Sequence, residues 1–136
     1  MIVKMYEPTL SQLHLFQSRE GLVVDHSKTI ENVVYMVDIN HKPTICYYVT
    51  PHKTCAEAHM MVTKDIIKYP LTLQKMTKQM ISNAFEVFDT FDKLVMDVTP
   101  EDSKWAKSLG FKKGQNCDNL ISLDGYSNYI LKREDI

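Results

Sequence analysis

Glycine is scarce in this sequence: it has four glycines in 136 residues, and none lies between Gly21 and Gly110. The middle of the chain therefore lacks the glycine-rich loops that let backbone amides approach a phosphate group. Cysteine is also sparse. The three cysteines are an odd number and form no CxxC pair, which favours reduced thiols in a cytoplasmic protein over a disulfide framework.

Neither sign of charge dominates. Sixteen basic and seventeen acidic residues give a formal net charge of −1, and the lysines are scattered. The sequence thus predicts neither nucleic acid nor an anionic membrane as a partner. No apolar run is long enough for a membrane span, and the first residues are too few and too charged for a signal peptide. No histidines have the spacing of metal ligands, so we expect no metal site.

The remaining composition is that of a folded globular protein. Hydrophobic residues make up 44% and charged residues 24% of the chain. We therefore expect one compact domain, residues 1–136, large enough to bury a core without disulfide or metal staples.

The first half of the chain predicts a short strand, a helix and a hairpin. The helix starts at a capping box formed by Thr9 and Gln12 and stops at Gly21. Its apolar stripe is Leu10, Leu13 and Phe16. Residues 32–38 and 44–49 are rich in β-branched and aromatic side chains and flank a turn-forming cluster, which is typical of a β-hairpin.

The second half predicts a strand over residues 55–63, a helix over 70–88 and a strand over 93–98. The apolar spacing of the helix predicts these buried residues: Leu73, Met76, Met80, Ala84 and Phe88. A short helix follows, with Thr99 as N-cap, Pro100 at its first position and Gly110 past its end. Asp124-Gly125 then predicts a hairpin between strands at 120–123 and 126–131.

The element order is therefore β-α-β-β-β-α-β-α-β-β. The strand-helix-strand unit in the middle requires a crossover and parallel pairing, whereas the hairpins require antiparallel pairing. The predicted fold class is α/β, with a mixed central β-sheet and flanking helices.

Over residues 56–111, closing on Leu109-Gly110-Phe111, this order resembles the GNAT-type N-acyltransferases. The resemblance implies acetyl-CoA as cofactor, held in a V-shaped opening between strands 55–63 and 93–98. It implies cofactor contacts along the strand and at the start of the following helix: Met61, Val62, Thr63, Lys68, Leu71 and Thr72. The sequence departs from the family twice. Its glycine-containing pyrophosphate loop is missing, and Ala106 occupies the usual position of a proton-donating tyrosine.

Glu57 and His59 are the candidate catalytic residues. Because they lie two apart on a predicted strand, they face the same side. Either one is a candidate general base for an amine, although Glu57 would need a raised pKa. The alternative interpretation is a polar strand face without catalytic function.

Two functions remain open at this level. The first is an acyl-CoA N-acyltransferase that moves an acetyl group to an amine, of a small molecule or a protein, by direct attack. The second is a non-catalytic GNAT-fold bacteriophage protein that lost the cofactor loop and binds a host or virion protein, in the host cytoplasm or in the virion. The missing glycines predict weak or absent acetyl-CoA binding in either case.

Overall fold

The computed structural model describes residues 1–20, 33–114, 120, 122 and 124–136. Its strands and helices are, in chain order, β1 (Val3–Tyr6), α1 (Leu10–Glu20), β2 (Val33–Ile39), β3 (Lys42–Pro51), β4 (Ala56–Val62), α2 (Pro70–Val87), β5 (Lys93–Val98), α3 (Ser103–Ser108), β6 (Lys112–Lys113) and β7 (Ser127–Lys132). Short 3₁₀ helices lie at Lys64–Lys68, Pro100–Asp102 and Arg133–Asp135.

The described strands form one sheet in the order β1-β2-β3-β4-β5-β7-β6. Strands β4 and β5 pair in parallel, and the other neighbours pair antiparallel. The mixed α/β sheet predicted from the sequence is confirmed. The parallel pair is joined by α2, as a crossover connection requires.

The sheet opens between β4 and β5. These strands pair only at Ala56 with Leu94 and at Glu57 with Val95, whereas β4 continues along β3 as far as Val62. Strand β5 likewise continues along β7 to Val98. The two strands therefore diverge after their second pair, which confirms the predicted V-shaped opening. We call this gap the splay.

The two faces of the sheet carry separate packed layers. Helix α2 covers one face and buries Met76, Met80 and Ala84 against the sheet, as predicted. Leu73 and Phe88, which were predicted to be buried too, are half-buried at the two ends of the helix.

The other face is covered by α1. Thr9 and Gln12 form the predicted capping box: the Gln12 amide donates to Thr9 Oγ1 at 3.2 Å, and the Thr9 amide donates to Gln12 Oε1 at 2.8 Å. Leu13 and Phe16 are buried, but Leu10, in the first turn, is 59% exposed, so that part of the predicted stripe is wrong. The predicted stop at Gly21 lies outside the described residues.

The turn chemistry explains two connections. Asn40 and His41 link β2 to β3 with φ of 51° and 66°, the left-handed pair that a two-residue hairpin turn needs. Gly110 ends α3 with φ of 98°, and there the Phe111 amide donates to the Ala106 carbonyl at 3.1 Å.

Thr99 differs from its prediction. Its hydroxyl donates to the Asp102 carboxylate at 3.1 Å, and the chain makes a 3₁₀ turn before α3 begins.

The C-terminal hairpin needs a correction. Among the described residues, β7 pairs with Lys112–Lys113, and neither Leu120 nor Ser122 belongs to a strand. The other two residues of the predicted strand, 121 and 123, lie outside the described residues. The Asn128 side chain binds Leu120 and Ser122 instead, donating to the Leu120 carbonyl at 3.3 Å and accepting from the Ser122 hydroxyl at 3.1 Å.

Candidate functional site

Glu57 and His59 lie on β4 where the splay begins. Glu57 belongs to the last residue pair that joins β4 to β5, and His59 is the next residue on the same face. Ala58 and Met60 point to the opposite face and pack in the core under α2. The period of two along a strand thus places both candidate side chains on one face, as the sequence predicts, and this is the face that α1 covers.

The two side chains are in contact. His59 Nε2 lies 2.9 Å from Glu57 Oε1, and His52 Nε2 lies 3.5 Å from the same oxygen. His52 follows β3 directly and is turned back towards β4, its amide donating to the Cys55 carbonyl at 2.9 Å. One carboxylate oxygen therefore has two imidazoles beside it.

The electrostatics separate the roles of Glu57 and His59. The hydrogen bond from His59 lowers the pKa of the Glu57 carboxyl below its ordinary value, against the effect of burial, and His52 lowers it further. Glu57 is therefore an ionised acceptor rather than a base with a raised pKa. Since a carboxylate only accepts, His59 donates through Nε2, which leaves the lone pair of the neutral imidazole on Nδ1.

Tyr48 fixes the plane of the His59 ring. The two rings stack with their centroids 4.5 Å apart and an interplanar angle of 13°. Burial, followed by the negative charge of Glu57, raises the pKa of the Tyr48 phenol, so the ring remains neutral beside the imidazole. The stack and the carboxylate together restrict the orientation of the imidazole.

A cleft of about 610 Å³ opens in front of this group. Besides Tyr48, Glu57 and His59, its walls include residues from β5, from α3 and from the segments that flank them and precede β7: Asp97, Thr99, Asp102, Trp105 and Tyr126. The cleft is a size that accommodates a small organic molecule.

His52, Trp105 and Tyr126 are cleft or site residues that the sequence patterns did not predict. For His52 a signal exists: the antiparallel pairing of Pro51 with Ala56 puts the residue after β3 close to the start of β4. Trp105 and Tyr126 reach the cleft only through tertiary packing, which no local pattern encodes. Trp105 Nε1 is buried and has no hydrogen-bond acceptor among the described residues.

The six predicted cofactor contacts fall into two groups. Met61, Val62 and Thr63 follow His59 along the diverging edge of β4. Lys68, Leu71 and Thr72 lie around the start of α2. The structure thus brings the first group to the splay and the second to the helix N-terminus.

Their side chains differ in accessibility. Lys68 and Leu71 are exposed, Leu71 by 84%. Thr72 is buried, and its hydroxyl faces the Met1 sulfur at 3.9 Å.

Other site types receive no support from the described part of the chain. It contains no cluster of three or more His, Cys, Asp or Glu side chains arranged to hold a metal ion. None of its helices has the length and apolar character of a membrane span.

Comparison with known proteins gives matches in structure alone. No protein-family model and no curated protein sequence matches this chain. A solved structure of an aminoglycoside acetyltransferase with coenzyme A matches with a TM-score of 0.71 at 10% identity, over 98% of this chain and 96% of that one.

Two further solved structures match over nearly the whole chain. Spermidine N-acetyltransferase from Vibrio cholerae, with CoA and spermine, has a TM-score of 0.72 at 8% identity and coverages of 98% and 96%. The ribosomal-protein-S18-alanine N-acetyltransferase from Escherichia coli has a TM-score of 0.68 at 14% identity, with coverages of 96% and 94%. At these identities the likeness establishes the fold: the chain has the fold of the GNAT acetyltransferases.

Proposed function

We propose that this protein is an acyl-CoA-dependent N-acyltransferase, which moves an acetyl group from acetyl-CoA to an amine by direct attack. The observation that carries the proposal is the placement of the Glu57–His59 pair at the mouth of the splay, beside a cleft of about 610 Å³. Similar folds with bound CoA or acetyl-CoA support the choice of cofactor.

The residues at the splay fit the arm of coenzyme A. Beyond Glu57, β4 has no strand partner on its β5 side among the residues that the structure describes, so its backbone is available to an extended chain of amides. The buried Trp105 Nε1 is a donor without an acceptor in the described residues. Both features suit a ligand that carries amides and a carbonyl.

The start of α2 fits the diphosphate less well. Pro70 occupies the first helical position and has no N–H to donate. Lys68 Nζ is already 3.5 Å from Asp65 Oδ1. The donors that remain are the first-turn amides of Leu71 and Thr72, which helix geometry leaves without an intrahelical partner.

The catalytic roles follow from the electrostatics. Acetyl-CoA supplies a thioester, whose carbonyl carbon is open to attack. In our proposal His59 accepts a proton from the amine in the cleft, and Glu57 holds the imidazole and stabilises its charged form. Stacking against Tyr48 fixes the orientation of the His59 ring.

The bonds balance without a covalent enzyme intermediate. The amine nitrogen forms a bond to the carbonyl carbon, the carbon–sulfur bond breaks, and the sulfur leaves with the electron pair. Ala106, at the position of the family's tyrosine, is fully buried and has no proton to give, so we assign protonation of the thiolate to water.

The acceptor in this proposal is an amine, of a small molecule or a protein. The cleft contributes the carboxylates of Glu57, Asp97 and Asp102, which favour a cationic group. Proteins with this fold include acetyltransferases named for spermidine and for aminoglycosides, both of which carry amines. We place the reaction in the cytoplasm, where thiols such as the buried Cys46 and Cys55 stay reduced.

The test combines binding with turnover. Acetyl-CoA is titrated into the protein by calorimetry, and acetyl transfer to spermidine, an aminoglycoside and an N-terminal alanine peptide is measured by release of free thiol. We expect His59→Ala to lower turnover by about 10²–10⁴-fold, the usual range for removal of a general base. Glu57→Gln should lower it less, and His14→Ala, an exposed histidine on α1, should leave it unchanged. Transfer that persists in His59→Ala would rule out the base assignment.

The second candidate is a non-catalytic protein that uses the same face for a protein partner. The observation that favours it is the exposure of Ile67 by 82% and Leu71 by 84% where the family holds a diphosphate. A bacteriophage internal virion or host-interaction protein is one form of this candidate. Absence of both binding and transfer in the test above would select it.

A further inference from the structure

His52 lies beside the catalytic pair and has no role in the proposed reaction so far. Its side chain is partly buried, and the described lining of the large cleft includes Glu57 and His59 but not His52. An amine in the cleft therefore meets His59. Any influence of His52 on the reaction has to pass through its neighbours.

The two imidazoles have unequal shares of one oxygen atom. His59 Nε2 is hydrogen-bonded to Glu57 Oε1 at 2.9 Å. His52 Nε2 lies 3.5 Å from the same oxygen, and although this nitrogen is buried, it has no hydrogen-bond partner among the described residues. A buried polar atom without a partner costs free energy, and Glu57 Oε1 is within ion-pair distance of it.

Protonation of His52 changes this division. A neutral imidazole at 3.5 Å leaves the carboxylate to His59, whereas an imidazolium at the same distance forms an ion pair with it. The Glu57 carboxyl stays ionised at the pH where imidazoles titrate, because the hydrogen bond from His59 holds its pKa below the ordinary value. Two positive charges beside one carboxylate oxygen also repel each other, so a proton on His52 disfavours a proton on His59.

We propose that His52 is a positioning residue that competes with His59 for Glu57 Oε1. The inference rests on the proposed function and concerns the regulation of the same site. As the pH falls, the two imidazoles share the first proton, and they take up the second at a lower pH than one imidazole alone would. Part of the His59 population therefore remains neutral, and able to accept a proton from the amine, at a pH where an isolated Glu57–His59 pair would be mostly charged.

The other titratable groups around the pair are constant in this comparison. Tyr48 from β3, Asp97 from β5, Asp102 before α3 and Tyr126 before β7 face the cleft beside His59. They are the same whether or not position 52 holds a histidine. Differences between variants at this position therefore isolate the competition for the carboxylate.

The first measurement is an NMR titration of the imidazole Cε1–H signals, which needs no substrate. In the unmodified protein the His59 signal should move in two steps, one of which coincides with a step of the His52 signal. His52→Gln keeps a side-chain donor but does not titrate. In this variant His59 should move in one step, with its midpoint at a higher pH by about half a unit or more. His14→Gln, at an exposed histidine of α1, is the matched control and should leave the titration of His59 unchanged.

The second measurement is the pH profile of kcat/KM for acetyl transfer. Its acid limb should move to higher pH by about half a unit or more in His52→Gln and stay in place in His14→Gln. A lower rate without movement of the acid limb would show that His52 has a purely structural role, and it would overturn the inference.

Glu57→Gln tests whether the carboxylate carries the effect. If it does, His52→Gln should move the titration of His59 much less in the Glu57→Gln background than in the unmodified one. Equal movement in both backgrounds, or a one-step titration of His59 in the unmodified protein, would overturn this inference alone. Coupled titration without binding or use of any acyl-CoA would overturn the proposed function and leave the competition for Glu57 standing.

Discussion

At the scale of single residues, the site depends on one carboxylate oxygen. Glu57 Oε1 accepts from His59 and lies within 3.5 Å of His52. The pairing of Glu57 with His59 was predictable, since strand periodicity alone puts them on one face. His52 was not assigned a role, because its approach depends on the turn that brings β4 back along β3.

Glu57 makes stability depend on pH. The pKa of the Glu57 carboxyl is lowered in the folded protein. Its contribution to the free energy of unfolding is therefore fully present above the ordinary carboxyl pKa of 4.5 and is lost as pH falls through the pKa of the folded state. We expect Glu57→Gln to reduce the free energy of unfolding most near about pH 7, and the difference from the unmodified protein to shrink by about pH 3. Urea melts between about pH 3 and pH 7 measure this difference in the free energy of unfolding. A difference that grows towards low pH would contradict the lowered pKa.

At the scale of elements, α2 shows how far sequence periodicity extends. The spacing correctly predicted Met76, Met80 and Ala84 as buried, but it could not show that Leu73 and Phe88 lie near the ends of the covered surface. The strands determine how much sheet lies under the helix. The helix sequence alone therefore does not show which of its apolar residues lie beyond the covered part.

Met80 tests the packing of α2. It is 2% exposed, so truncation removes buried methylene groups and leaves a cavity. We expect Met80→Ala to lower the free energy of unfolding by about 2–5 kcal/mol. Leu71→Ala on the same helix, at a residue 84% exposed, should change it by less than about 0.5 kcal/mol. Similar losses for the two variants in a denaturant melt would show that the buried side of α2 is misassigned.

Arg133 fastens the end of α2 to the sheet. Its guanidinium donates to the carbonyls of Phe85, Phe88 and Phe91 at 2.6–2.8 Å and lies 4.9 Å from the centre of the Phe85 ring. The lysine ammonium is a compact charge and cannot span three carbonyls. Arg133→Lys should therefore cost about 1–3 kcal/mol in thermal or urea unfolding. The exposed neighbour Lys132 provides the control, and equal effects of Arg133→Lys and Lys132→Ala would argue against this role.

At the scale of the whole molecule, the order of elements was enough to predict the mixed sheet with flanking helices, while the splay was predicted from the resemblance to the GNAT-type N-acyltransferases. The pattern of strands, crossover helix and turns leaves few arrangements of one sheet. The cleft was not predictable, because Trp105 and Tyr126 enter it from elements far along the chain. The difference at Leu120 and Ser122, which are not in the predicted strand, has a similar cause. Asp124-Gly125 does form a turn, but the strand that pairs with β7 lies earlier in the chain.

Weak acetyl-CoA binding is the expectation for the molecule as a whole. Each charge-assisted hydrogen bond to phosphate contributes roughly 1.5–3 kcal/mol, so the loss of two raises the dissociation constant about a hundredfold or more. Asp65 should weaken phosphate binding further, because its carboxylate already forms ion pairs with the ammonium groups of Lys42, at 2.5 Å, and Lys68, at 3.5 Å. Asp65→Asn should tighten binding about two- to fivefold in calorimetry, the range of an exposed ion pair. Low-micromolar binding by the unmodified protein would contradict the expectation.

The splay also bears on the order in which the chain folds. Strands β2, β3 and β4 are neighbours in sequence and are joined by short turns, so their pairing closes small loops. The two residue pairs that join β4 to β5 form only after the chain has crossed back through α2, and the pairing of β5 with β7 closes a loop of similar length. Loop-closure entropy favours the near contacts. In pulse-labelled hydrogen exchange during refolding, the amides of β2 and β3 should therefore become protected before those of β5 and β7.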